Sequence, residues 1–176
     1  MTEGIIKTLI SEAEIAAITG RLAGEIAADY AGKRLLAVGI LNGAFVFMSD
    51  LVRKIGLPLE TAFIKASSYG DSSVSVGSLS ILYDGVSDYS GRHVLLIDDI
   101  LDTGTTLAAL AGRISEKNPE SLELCVLLDK PGRRRIGVSA KYVGKAIPDV
   151  FVAGYGLDYA GKYRNLPYIA VVDTGG

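Results

Sequence analysis

The chain predicts an α/β fold: a mainly parallel sheet flanked by helices. Two observations carry this. Short, wholly apolar runs such as Leu35–Leu41, Val94–Ile97 and Leu122–Leu128 read as strands buried on both faces. Segments with helical apolar spacing alternate with them, which is the pattern of right-handed β-α-β units. The 176 residues are 49% hydrophobic and 22% charged, a globular composition that excludes disorder and coiled coil. The whole length, 1–176, reads as a single domain without repeats, linker or low-complexity tract.

The elements follow in order. After an apolar run, Ile5–Ile10, the sequence Ser11-x-x-Glu14 spells a capping box. Ile15, Ile18, Leu22, Ile26 and Tyr30 then mark one face of a helix ending near Gly32. Leu35–Leu41 is the first buried strand, Gly43–Lys54 a helix stopped by Gly56, and Leu59–Lys65 a strand. From Ala66 to Ser78 serine, glycine and aspartate displace the hydrophobic pattern, which predicts a long mobile loop. Leu79–Tyr83 and His93–Ile97 are strands, Thr105–Lys117 a helix closed by Pro119, and Leu122–Leu128 a strand. Val150–Ala153 and Tyr168–Val172 are the last apolar runs.

Charge and cysteine content narrow the function classes. Eighteen basic against twenty acidic residues give a net charge of −2, without the basic footprint of a nucleic-acid or membrane-surface binder. Apolar runs fall far short of a membrane span, and Glu3, Lys7, Glu12 and Glu14 interrupt any signal-peptide core. A lone cysteine, Cys125, fits a reducing cytoplasm and reads as a small buried hydrophobe. His93 reads as a surface residue and Arg133-Arg134-Arg135 as a solvated loop.

The chemistry concentrates in Val94–Leu107. A buried apolar strand delivers Asp98 and Asp99 at its carboxyl end, where open α/β sheets bind ligands. Asp102-Thr103-Gly104-Thr105-Thr106 then leads straight into a helix, so amides, hydroxyls and the helix dipole can cradle phosphate. Two acids beside a phosphate call for hydroxyls or a divalent cation between them; a phosphorylated ribose with Mg²⁺ meets both needs. Taken alone, the turn is equally compatible with Asp102 or Thr103 merely capping the helix. There is no G-x-x-x-x-G-K-[ST], no complete G-x-G-x-x-G and no zinc-ligand spacing.

This segment resembles the phosphoribosyltransferase family, whose signature is two acids followed by D-[ST]-G-x-T. Leu41-Asn42-Gly43, Ser67-Ser68-Tyr69-Gly70, Leu127–Pro131 and Ile147–Tyr159 are similar, in order and spacing, to the bacterial hypoxanthine branch of that family. The resemblance runs from Ser11 to Val172. It implies the type I fold with a small hood and a mobile flap, and transfer of ribose 5-phosphate from 5-phosphoribosyl 1-pyrophosphate to hypoxanthine or guanine. By the same resemblance, Asp98 and Asp99 hold the ribose hydroxyls and Mg²⁺, and Asp102 acts as general base at purine N7. Thr103, Gly104, Thr105 and Thr106 bind the 5′-phosphate. Lys130 donates to the 6-oxo group, Phe151 stacks on the ring and the Val152 backbone reads its edge. Asp158 lies by the purine and a second Mg²⁺, Arg164 and the Asn42-Gly43 loop take pyrophosphate, and Ser68-Tyr69 belongs to the flap. A homodimer or homotetramer is implied as well.

The sequence departs from family habit at Asp98, where many relatives carry Glu. It also departs at Asn42, where several carry Lys or Arg, and at Thr105, where some carry Lys. Without the resemblance, Lys130 reads as a solvated loop residue, Phe151 as sheet core, and Asp158 with Tyr159 as turn residues. Three rival functions compete with this one. A phosphoribosyl-pyrophosphate sensor without catalysis would ordinarily carry a basic surface or an added DNA-binding domain. A strand-end aspartyl phosphatase needs an acid where Ile100 stands. Transfer to xanthine or adenine is the third, and Lys130 favours a 6-oxo over a 6-amino purine because an ammonium only donates.

Overall fold

The computed structural model describes residues 4–68 and 79–173. Tyr69 and the rest of the expected loop as far as Ser78 lie outside the described residues.

The capping box is present at the start of α1 (Glu12–Asp29): the Glu14 amide donates to the Ser11 hydroxyl at 3.3 Å, and the Glu14 carboxylate accepts from the Ser11 amide at 2.9 Å. α1 follows β1 (Ile5–Ile10) and leads to β2 (Leu35–Leu41). α2 (Phe45–Ile55) starts two residues later than expected and ends on Gly56, whose φ of 69° is a left-handed cap. β3 (Leu59–Ser68) and β4 (Leu79–Asp84) pair antiparallel. The expectation of a loop from Ala66 is therefore corrected: Ala66, Ser67 and Ser68 continue the strand, paired through the backbone with β4. β5 (His93–Leu101), α3 (Thr105–Ser115) and β6 (Ser121–Asp129) follow. β7 (Tyr142–Ala146), β8 (Val152–Ala153) and β9 (Ile169–Val172) complete the chain.

Six strands form one sheet in the order β4-β3-β2-β5-β6-β7, parallel except at the β3–β4 edge. β1, β9 and β8 make a separate antiparallel sheet, the expected hood. Core residues alternate across β5. Leu95 and Ile97 pack with α1, α2 and hood residues such as Ile26, Leu51 and Ile169, while Val94 and Leu96 pack with Leu107, Leu110 and Ile114 of α3. Both faces being covered is why the strand reads as an unbroken apolar run. Each fully buried leucine of this kind contributes roughly 1.5–3 kcal/mol relative to exposure. The core therefore clamps β5 on both sides and fixes where its carboxyl end delivers Asp98 to Thr103. Among the described residues no helix is long and apolar enough to cross a membrane.

Candidate active site

The turn from β5 into α3 lines a cavity of about 290 Å³ together with Asp98, Asp99 and Ile100. Its geometry follows from Gly104, the N-cap of α3, which has a φ of 86° and offers no side-chain cap. A Cβ there would overlap the Val138 side chain. The loop after β6 wraps the turn, with the Arg135 amide donating to the Thr103 carbonyl at 3.0 Å. The Thr103 hydroxyl lies 3.2 Å from that of Thr105. Gly104 supplies no capping side chain; the Thr105 amide donates to the Thr103 hydroxyl at 3.4 Å, while Thr106 and Leu107, next in the first turn of α3, line the cavity where their amides can meet an external acceptor. An anion fits here.

Beside it stand two carboxylates. Asp99 is buried and Asp98 partly so, and the Asp99 amide donates to Asp98 at 3.0 Å. Burial pushes the Asp98 carboxyl well above its ordinary range, and the neighbouring Asp99 charge adds to the rise. Burial likewise lifts Asp99 to about 6, opposed by hydrogen bonds from Asp98 and the Ile100 amide and by the positive charge of Arg164. Such a pair calls for a cation or for donor hydroxyls. Two hard oxygen ligands suit Mg²⁺, which takes one or two carboxylates and completes its shell from water and substrate phosphates. Among the described residues no group of three or more potential metal ligands is brought together, so Asp158 does not join Asp98 and Asp99 in one ligand set. The donor set fits the ion.

The next strand brings in the second loop. β2 pairs with β5, so the Asn42-Gly43 loop reaches the carboxylates. The three atoms nearest a Cβ built on Gly43 all belong to the Asp99 carboxylate. Asn42 itself is exposed. Gly156 packs on the Gly43 carbonyl with no room for a side chain, at a φ of 101°. Its amide donates to the Arg164 carbonyl at 3.0 Å, and Arg164 Nη1 donates to its carbonyl at 2.6 Å. This places the Arg164 guanidinium where its charge acts on Asp99. Asp158 pairs with Arg164 at 2.6 Å through one oxygen and accepts from the Gly161 amide at 2.9 Å through the other.

The third group gathers beyond β6. Lys130 is buried at 7% exposure, which corrects its reading as a solvated loop residue. Its amide donates to the Leu101 carbonyl at 2.9 Å, fastening it to the end of β5. Phe151 is 46% exposed and meets Tyr159 edge-on at 5.4 Å, so it is a surface platform and not sheet core. The Val152 side chain is buried, and β8 is an edge strand. Because the Phe151 carbonyl accepts from Val172, the alternation of an antiparallel ladder turns the Val152 amide and carbonyl to the unpaired edge.

The arginine run is corrected as well. Arg133 Nε donates to the Asp102 carboxylate at 3.1 Å, and Arg134 donates to the Asp102 carbonyl at 2.6 Å while pairing with Asp129. Only Arg135 keeps an exposed side chain free of such a partner. A run of three like charges after a strand gave no sign that two of them return to a turn thirty residues earlier. Cys125 is buried, and burial pushes its thiol upward. His93 is partly buried against Tyr30 and Ser121, not freely solvated. Of the flap residues, Ser68 ends β3 and Tyr69 lies outside the described residues.

Residues 7–160 match the phosphoribosyl transferase domain family. The chain is 45% identical to the hypoxanthine-guanine phosphoribosyltransferase of Staphylococcus aureus, over 98% of this chain and 96% of that protein. A crystal structure of a hypoxanthine phosphoribosyltransferase from the same organism superposes with a TM-score of 0.93 at 45% identity, covering 97% of this chain and 92% of that one. A ternary substrates complex of the hypoxanthine phosphoribosyltransferase from Trypanosoma cruzi superposes with a TM-score of 0.92 at 39% identity, covering 97% and 96%.

Proposed function

The chain belongs to the phosphoribosyltransferase family, and on that premise we propose how its residues act in purine salvage. The enzyme transfers ribose 5-phosphate from 5-phosphoribosyl 1-pyrophosphate to hypoxanthine and guanine, yielding the nucleoside monophosphate and pyrophosphate. The observation that carries this reading is the Asp98-Asp99 pair, one carboxylate buried and the other partly so, set beside a helix start with no capping side chain in one cavity.

The 5′-phosphate sits against Thr103 to Thr106 and the first amides of α3. Asp98 and Asp99 accept from the ribose hydroxyls and, with Mg²⁺, would hold the sugar's reacting carbon over the base. Mg²⁺, when bound, neutralises charge developing on the leaving pyrophosphate. Arg164 does the same from the protein side, aided by the Asn42-Gly43 loop, the electrostatic term that usually dominates such barriers. Its pair with Asp158 has to loosen for Asp158 to reach a second ion. As the bond from C1′ to pyrophosphate breaks and that to N9 forms, Asp102 takes the proton from N7. Lys130 donates to the 6-oxo group, Phe151 stacks on the ring, and the free Val152 backbone edge reads its rim. A flap containing Ser68-Tyr69 would keep water from the cationic sugar. We further propose a cytoplasmic homodimer or homotetramer.

Steady-state turnover with hypoxanthine, guanine, xanthine and adenine, donor and Mg²⁺ tests the reading. Turnover of the first two, with adenine inert, is expected. Donor binding without turnover of any base would instead indicate a sensor, and preference for xanthine would relocate the specificity.

A further inference from the structure

Two charged residues given no role so far, Asp149 and Arg133, stand between the two ends of the proposed base pocket. Lys130 Nζ lies 4.0 Å from Asp149 Oδ1, and Asp149 Oδ2 lies 3.6 Å from Arg133 Nη1. Arg133 Nε lies 3.1 Å from Asp102 Oδ1. The charges alternate in sign along this chain of four. They come from the end of β6, the 3-10 turn Pro131–Arg133, the segment between β7 and β8, and the turn before α3.

The burial along it is uneven. The Lys130 side chain is 9% exposed, whereas that of Asp149 is 56% exposed. A lysine side chain this little exposed is steered by the nearest opposite charge, and Asp149 is the one carboxylate paired with it among the described residues. At 4.0 Å the contact exceeds hydrogen-bond length. The carboxylate therefore aims the ammonium by charge and leaves its three N–H groups for another acceptor, as reading a carbonyl demands. At the other end, Arg133 engages one oxygen of Asp102 and leaves the second for a base proton. Arg134 meanwhile holds the Asp102 carbonyl at 2.6 Å, so backbone and carboxylate are fixed by separate arginines.

We propose that Asp149 is a positioning residue for base recognition: it aims Lys130 at the 6-oxo group. Arg133 anchors Asp149 and ties it to Asp102 at the N7 end. This rests on the roles given above to Lys130 and Asp102. The two contacts that identify a 6-oxopurine are then spaced by a shared ion-pair chain and not by two independent side chains.

The test is a double-mutant cycle read as KM for hypoxanthine at saturating donor, KM for donor at saturating hypoxanthine, and melting temperature. Asp149→Asn raises the hypoxanthine KM about five-fold, the upper range for an ion pair with one exposed member, and leaves donor KM and melting temperature in place. Asp149→Glu, which keeps the charge, stays close to wild type. Arg133→Gln moves the hypoxanthine KM in the same direction by a smaller factor, and its effect shrinks once Asp149 is Asn, leaving only the part carried by its contact with Asp102. In a Lys130→Ala background, Asp149→Asn has no further effect. An equal effect of Asp149→Asn in both backgrounds, a parallel rise in donor KM, or an inert Arg133→Gln would overturn the proposal. If Lys130→Ala alone leaves the hypoxanthine KM unchanged, the Lys130 assignment itself is wrong and the positioning role goes with it.

Discussion

Replacing Gly43 by alanine adds one methyl group at a point where the three nearest heavy atoms all belong to the Asp99 carboxylate. Overpacking a core normally costs about 1–3 kcal/mol. Here the obstacle is the end of a side chain and not backbone, so the strain is relieved by rotating the Asp99 carboxylate away. Stability then changes by less than about 1 kcal/mol, a fall in Tm of under roughly 4 °C for a chain of this size. Activity responds differently. A displaced Asp99 forfeits a charge-assisted contact to ribose hydroxyl or metal, worth about 1.5–3 kcal/mol, so kcat/KM drops by roughly 10- to 150-fold. The assay pairs thermal unfolding with steady-state kinetics on the same preparations. Wild-type kcat/KM in Gly43→Ala would show that Asp99's position is immaterial. A collapse in Tm would show that the loop, and not the carboxylate, yields.

Gly144→Ala pushes a methyl onto the Leu127 carbonyl, a backbone atom that cannot rotate aside, and against Ile18; unfolding free energy falls by about 1–3 kcal/mol, with kcat of the folded enzyme unchanged in a denaturant and turnover comparison. The Asp99 carboxyl has a folded-state pKa of about 6 against 3.8 for its ordinary value, so the folded state binds more protons in that window. Without metal or donor, stability therefore declines as pH rises through it, and Asp99→Asn flattens the slope in pH-dependent melts; a stability rising across that window would contradict the burial argument. Excess chelator abolishes turnover and added Mg²⁺ or Mn²⁺ restores it, since carboxylates and pyrophosphate are hard ligands; full activity under chelation would remove the metal from the chemistry.

What the sequence disclosed follows the strength of local signals. The Ser11-Glu14 capping box and the periodic Ile15, Leu22 and Ile26 mark α1 because cap and core face agree. Val94–Ile97 reads as buried because both of its faces are covered. β7 escapes notice: Lys145 and Gly144 break any apolar run, and only Tyr142 is buried in this edge strand. The end of β3 is equally silent, because the backbone pairing that keeps Ser67 and Ser68 in the ladder has no signature in the hydrophobic pattern. α2 starts at Phe45 and not at Gly43 because Gly43 is held flat against Asp99, a contact across two strands that local spacing cannot express. Within the candidate site, the acids and threonines are contiguous and so legible. Arg133, Arg134 and Asp149 are not, since their meaning lies in partners elsewhere in the chain.

Asp102 taking a proton during bond formation is the central step of the mechanism, and one comparison tests it directly. Asp102→Asn keeps the side chain's size and its capacity to cap a turn, but it cannot accept the N7 proton. Single-turnover rates and donor dissociation constants are measured for wild type and Asp102→Asn with hypoxanthine and Mg²⁺. The predicted result is a rate lower by about 10²- to 10³-fold with donor affinity little changed, because the loss falls on the transition state. Turnover of the variant at the wild-type rate would contradict the general-base assignment.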